Sequence, residues 1–205
     1  MAMKASIFLA ALFLLSVIES GFAQNKILLI NGKVIEAENY TVGDIFVTYK
    51  KAGDKRSGAR AVDRYDVFSI TSLDGTEEVL YKPIDSLDFS VEDVRLYIRG
   101  EQVAKTHYNS TGASVSSAII GAGSSILYFY ALPIPMLYGV VLGRFNPRKM
   151  HLPENIEPAV AESEAFRLGY EKSARNTKIQ KSLKWGYISL GVGLAGWIIY
   201  GVSDK

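Results

Sequence analysis

The chain of 205 residues has no cysteine and two histidines. The missing cysteine excludes disulfides, thiolate metal ligands, thiol nucleophiles and lipid attached to sulfur. The two histidines, His107 and His151, flank a long apolar segment, and that separation argues against a shared metal. There is no phosphate-cradling glycine loop, no dinucleotide fingerprint, no His-Glu-x-x-His pair and no nucleophile elbow. Carboxylates are numerous, but none pair at a spacing that favours general acid–base work. A strong excess of one charge is also lacking: the formal net charge is +2, so the total carries no electrostatic footprint for nucleic acid. On these grounds the chain is expected to be no enzyme, to hold no cofactor or metal, and to bind no nucleic acid.

Charge is absent from two whole stretches. No Lys, Arg, Asp or Glu occurs from Thr106 to Gly143, nor from Trp185 to Val202. The N-terminus has a third apolar run, Ile7 to Ile18, preceded by Lys4 and followed by Gly21-Phe22-Ala23. Charge, short apolar core and small-residue site form the layout of a secretory signal, so residues 1–23 are expected to be cleaved before Gln24.

Residues 24–88 read as β-rich. Short runs of branched and aromatic residues lie at Lys26–Ile30, Lys33–Ala37, Ile45–Tyr49, Val62–Ile70 and Glu77–Tyr81. Asn31-Gly32, Gly43-Asp44 and Asp74-Gly75 punctuate them as turns. Five short strands in so little chain predict a small barrel, which leaves no exposed sheet edge. Over 89–110 the pattern changes to a helical one. Val91, Val94, Ile98 and Ala104 share a face, and Ser90 with Asp93 three residues on forms a capping signal. Gly100 weakens the middle of that helix.

The two charge-free stretches are expected to lie in lipid. The first, 111–143, exceeds a bilayer's thickness as one straight helix, so Pro133 and Pro135 predict either a kinked span or a hairpin. The second, 185–202, is about 27 Å long as a helix and carries Trp185 and Trp197 toward its ends. Gly121 with Ser125, Gly139 with Gly143, and Gly193 provide small-residue spacings for close helix packing, between copies or within one chain. The intervening 144–184 is basic at both ends, with Arg144, Arg148 and Lys149 after the first stretch and Lys181 and Lys184 before the second. That bias predicts a cytoplasmic loop, helical over Glu162 to Lys184 and continuing into the second stretch, and membrane-interface roles for these five residues together with the two tryptophans.

The succession ILLINGKVIEAE, GDIFVTYKK and DRYDVFSITSLDGTEEVLYK over 27–82 resembles the N-terminal module of exported membrane proteins of the Bacteroidota, itself similar to SH3-like and Sm-like small barrels. VRLYIRGEQVAKTHY and FRLGYEKSAR resemble the same group more weakly. The resemblance implies a fold and an address and carries over no catalytic residue. The expected protein is thus of α+β class: a small N-terminal barrel, a short helix and two transmembrane helical segments in the bacterial inner membrane, with the barrel periplasmic. Its expected partners are the lipid bilayer, a periplasmic protein bound by an adaptor-like barrel, and further copies of itself in a glycine-rich oligomer.

Overall fold

A computed structural model of the chain describes residues 24–54, 58–85, 88–147 and 150–203. The expected signal peptide lies outside the described residues. Among the described residues two compact units emerge, 24–29 with 33–81, and 30–32 with 82–203.

The first unit is a six-stranded antiparallel sheet. Its strands are β1 (Asn25–Leu29), β2 (Val34–Val42), β3 (Phe46–Lys51), β4 (Arg60–Asp63), β5 (Val67–Thr71) and β6 (Glu77–Val79), in the order β4-β3-β2-β1-β5-β6. Alternation puts Ile27, Leu29, Ile35, Ala37, Val47, Val67 and Ile70 into one buried cluster, capped by Tyr40, Tyr49, Val62 and Leu80. Each fully buried aliphatic side chain contributes roughly 1.5–3 kcal/mol. Two register shifts, at Leu28/Leu29 and at Ala37/Asn39, bend the sheet. At the second, the Asn25 amide donates to the carbonyls of Ala37 and Glu38, satisfying acceptors where the ladder is interrupted.

The expected barrel is corrected here. The sheet is open, with β4 and β6 as its edges. The run Val62–Ile70 is not one strand. Asp63 caps a 3-10 turn over Arg64–Asp66, its carboxylate accepting from Tyr65 N at 2.9 Å, and β5 starts only after it. The first hairpin also differs in detail. Leu29 N donates to Lys33 O, so three residues form the loop and Gly32 alone takes a positive φ, +69°.

The second unit is helical. Helix α1 (Val91–His107) begins in a reciprocal cap: Ser90 Oγ accepts from Asp93 N at 3.1 Å, and the Asp93 carboxylate accepts from Ser90 N and Oγ. Helices α2 (Thr111–Ser124) and α3 (Ile134–Gly143) follow, separated by a 3-10 segment over Ser125–Ala131. A single helical turn and a bit, α4 (Pro158–Glu162), precedes the forty-residue α5 (Glu164–Ser203). Helix α5 packs against α1, α2 and α3 in succession. Phe166, Tyr170 and Ala174 on α5 meet Val103 and Ala104 on α1 in the buried core, with Tyr108, Met150 and Val160 around them.

Among the described residues, no helix is long and apolar enough to cross a membrane. The two transmembrane segments, and the inner-membrane location that rests on them, are therefore corrected. The reason is local. The stretch 111–143 is divided into helices of 14 and 10 residues, about 21 and 15 Å long, against a hydrocarbon core of about 30 Å. The break is not made by the prolines. It lies at Tyr128, whose φ of 51° and ψ of −124° reverse the helix, while Pro133 and Pro135 start α3, where a missing N–H costs nothing. Helix α5 is long enough, but its first half is charged. Its second half is diluted by Gly186, Gly191, Gly193, Gly196, Ser189 and Tyr187. Within 144–184, residues 158–162 form α4, and the helix expected over Glu162 to Lys184 and on into the second apolar stretch is found as α5 from Glu164.

Candidate functional site

Three features of the helical unit bear on function: an inward-turned charge cluster, a set of close helix crossings, and a broad apolar face.

The charge cluster sits where α1 meets α5. Tyr97, Glu101 and Lys105 lie four residues apart on one face of α1. Glu101 has a side chain only 4% exposed, and Lys172 of α5 approaches it at 3.3 Å, with Lys105 at 3.9 Å. Tyr97 completes the cluster: its hydroxyl donates to Glu101 Oε1 at 3.3 Å and accepts from Lys172 Nζ at 2.6 Å. Lys172 also lies 5.2 Å from the centre of the Tyr97 ring, within cation–π range. Burial raises the Tyr97 hydroxyl above its ordinary value near 10, and the bond Lys172 donates to Tyr97 raises Lys172 above 10.5. Both shifts are upward, so their stabilising contribution is complete below pH 10 and is lost as pH rises through the shifted values. Burial raises Tyr108 and Tyr170 as well. Melting curves followed by circular dichroism from about pH 8 to 11 should show a falling Tm, and Tyr97→Phe should make that fall shallower. An identical slope in the variant would show that Tyr97 does not take part.

Two further basic residues of α5, Arg175 and Lys178, also turn onto protein groups. Arg175 donates to Asn146 Oδ1 at 2.7 Å, and Asn146 in turn donates to Glu171 at 3.1 Å. Lys178 donates to Phe145 O at 2.6 Å, and burial lowers its pKa. The ring of His151 lies 6.1 Å from that of Tyr108, the neighbour of His107, and its backbone N–H donates to Tyr170 Oη at 2.7 Å. Among the described residues no group of histidines and carboxylates could hold a metal ion.

The small residues singled out by spacing meet helices of the same chain. A Cβ on Gly121 would stand under 3.0 Å from the Gly186 carbonyl, on Gly193 under 3.0 Å from Ser125 Oγ, and on Gly143 under 3.0 Å from Ile179. Gly139 faces Leu183. Equally tight crossings occur at Gly100 and Gly169, where an added Cβ would strike the backbone of Phe166 and of Tyr97 respectively. Sequence spacing pointed to neither as a contact. Serines join the helices where they touch: Ser117 on α2 pairs with the buried Ser182 on α5, and Tyr138 on α3 donates to Ser116 at 2.9 Å. Of the residues expected at a membrane interface, Arg144 caps α3, and Lys181, Lys184, Trp185 and Trp197 lie along α5 with both tryptophans partly exposed. Arg148 and Lys149 lie outside the described residues.

The opposite faces of these helices are apolar and uncovered. Val115 and Ile119 on α2, Met136 with Val140 and Leu137 with Val141 on α3, and Ile188 with Val192 on α5 are all exposed at four-residue steps. Ile119 and Val192 are each 68% exposed. No family model, no curated protein and no solved structure matches this chain.

Proposed function

We propose that this chain is a binding protein, an adaptor whose helical unit takes up an apolar helix of another polypeptide. The observation that carries the reading is the row of exposed Val, Ile, Leu and Met side chains on α2, α3 and α5. Exposed apolar surface on this scale marks an interaction site. Its four-residue repeat forms ridges of the kind that pack into the grooves of a facing helix. Gly121, Gly139, Gly143 and Gly193 are already engaged within the chain, which leaves the large apolar residues for a partner. The secretory layout of residues 1–23 supports a partner met after export.

A photo-crosslinking residue at Val192 tests this. The expected result is an adduct mapping to an apolar helical segment of one defined protein, reduced about tenfold or more by Ile119→Glu. Each buried aliphatic contact is worth roughly 1.5–3 kcal/mol, and a charge in its place removes more. Adducts to lipid alone, adducts to a second copy of the chain, or a yield no higher than from a crosslinker at the exposed Glu92 would each sink the adaptor reading.

A further inference from the structure

A groove of about 490 Å³ runs beside the first two turns of α2 and is closed on its other side by α5. Its polar end is formed by Ser110, the residue that caps α2, and by Lys181. Ser110 is 3% exposed, and its hydroxyl has no hydrogen-bond partner. Its carbonyl, by contrast, is fully used, accepting from Ser114 N at 3.0 Å and Ser114 Oγ at 3.2 Å. A buried hydroxyl left unpaired is costly, and native proteins rarely leave one without a ligand or water to meet it.

The surroundings define the chemistry of what would meet it. The hydroxyl of Ser110 does not cap this 14-residue helix, so of its first-turn amides only that of Thr111 is shown meeting a side chain, Asn109. Thr111 is spent locally, its N–H and hydroxyl both donating to Asn109 Oδ1. Lys181 is exposed and makes no ion pair among the described residues, whereas on the same helix Lys172 pairs with Glu101 and Lys178 donates to the Phe145 carbonyl. No carboxylate lines the groove. A free hydroxyl, a free ammonium and a helix N-terminus together favour an anion with several acceptor oxygens. The rest of the wall is apolar, made by Val115, Ala118 and the partly exposed indole of Trp185.

We propose that this groove binds a phosphate ester bearing an apolar substituent. The phosphate sits on Ser110 and Lys181 at the start of α2, and the substituent lies along Val115, Ala118 and Trp185. The same chemistry is offered by a soluble phosphate ester and by a phospholipid headgroup. The groove shares Val115 with the exposed ridges assigned to a protein partner, but Ser110 and Lys181, which hold the phosphate, lie outside those ridges.

The test uses the full chain carrying Trp197→Phe, which leaves Trp185 as the single tryptophan. Hexyl phosphate should shift Trp185 emission saturably and raise Tm. Lys181→Gln should weaken binding about tenfold, and Ser110→Ala several-fold, since both donors act on a charged acceptor. Lys184→Gln, one turn away and outside the groove, should leave the affinity unchanged and controls for folding and overall charge. Inorganic phosphate should bind more weakly than hexyl phosphate, because it lacks the apolar part. Dihexanoyl phosphatidic acid, used below its micellar concentration, separates the sources: tighter binding than hexyl phosphate assigns the site to a lipid headgroup, and weaker binding to a soluble ester. No saturable response overturns the proposal. So does equal binding of hexanol or hexanoate, or equal affinity in the parent, Lys181→Gln and Ser110→Ala proteins.

Discussion

Replacing Gly169 by alanine is expected to disrupt the helical unit, a large effect for the addition of one methyl group. Gly169 on α5 faces the carbonyl of Tyr97 on α1, and the space an added Cβ needs is already occupied by that backbone. A flexible side chain could swing away. A helix backbone cannot, so α1 and α5 must separate. Separation opens the cluster of Phe166, Tyr170, Val103 and Ala104 and pulls Lys172 away from Glu101. Overpacking alone costs roughly 1–3 kcal/mol, and loosening a buried ion pair adds to it. A loss of about 3 kcal/mol or more is therefore expected against a domain stability of about 5–15 kcal/mol. The same holds for Gly100→Ala, which meets the Phe166 carbonyl and the Tyr170 amide. Chemical denaturation followed by helical circular dichroism would measure both. If either alanine variant unfolds at the parent's midpoint, the two helices do not cross this closely. Helix propensity sharpens the test, because in an unobstructed helix the same changes would stabilise by about 1 kcal/mol.

Tyr170→Ala should cost about 3–5 kcal/mol, in the range of large aromatic deletions from a core. Tyr170 is completely buried, stacks on Phe166 with ring centres 6.5 Å apart and meets the Tyr108 ring edge-on at 6.4 Å. Its hydroxyl also accepts the backbone N–H of His151 at 2.7 Å. The side chain thus ties the segment before α4 to the α1–α5 contact. Tyr170→Phe separates the two contributions. It keeps the ring and removes only the acceptor, so its cost should be about 1 kcal/mol. Equal losses in the alanine and phenylalanine variants would mean that the hydrogen bond, not the packing, carries the residue's effect.

The β-rich module was legible because turn residues punctuate it. Asn31-Gly32 and Asp74-Gly75 do lie at turns, and the buried positions follow the strand alternation through Ile27, Leu29, Ile35 and Ala37. The 3-10 turn at Arg64–Asp66 was not legible, since Val62–Ile70 has no glycine or proline to mark it. Closure into a barrel was an inference from strand number, and strand number does not determine whether the edges meet. In the helical unit, absence of charge was mistaken for a path through lipid. Composition reports that a stretch is apolar, whereas the left-handed residue that breaks it, Tyr128, is of a type that ordinarily avoids that conformation. The helix crossings were hidden for another reason. Gly100 read as a local weakness, and its use appears only when Phe166, sixty-six positions later, is brought against it. Tyr97, Glu101 and Lys105 could have been found as one helical stripe, but nothing in their spacing points to Lys172.

Because α1, α2 and α3 each rest on a helix that follows them in the sequence, synthesis has an order built into it. The strands are complete once Tyr81 has left the ribosome, and every sheet pairing is made among residues already released. The earlier helices have no such opportunity: their common support is translated after them, and they must wait for it with apolar surface uncovered. A nascent chain stalled before residue 164 therefore presents a finished sheet and three unsupported helices, which is the stage at which a chaperone has most to hold.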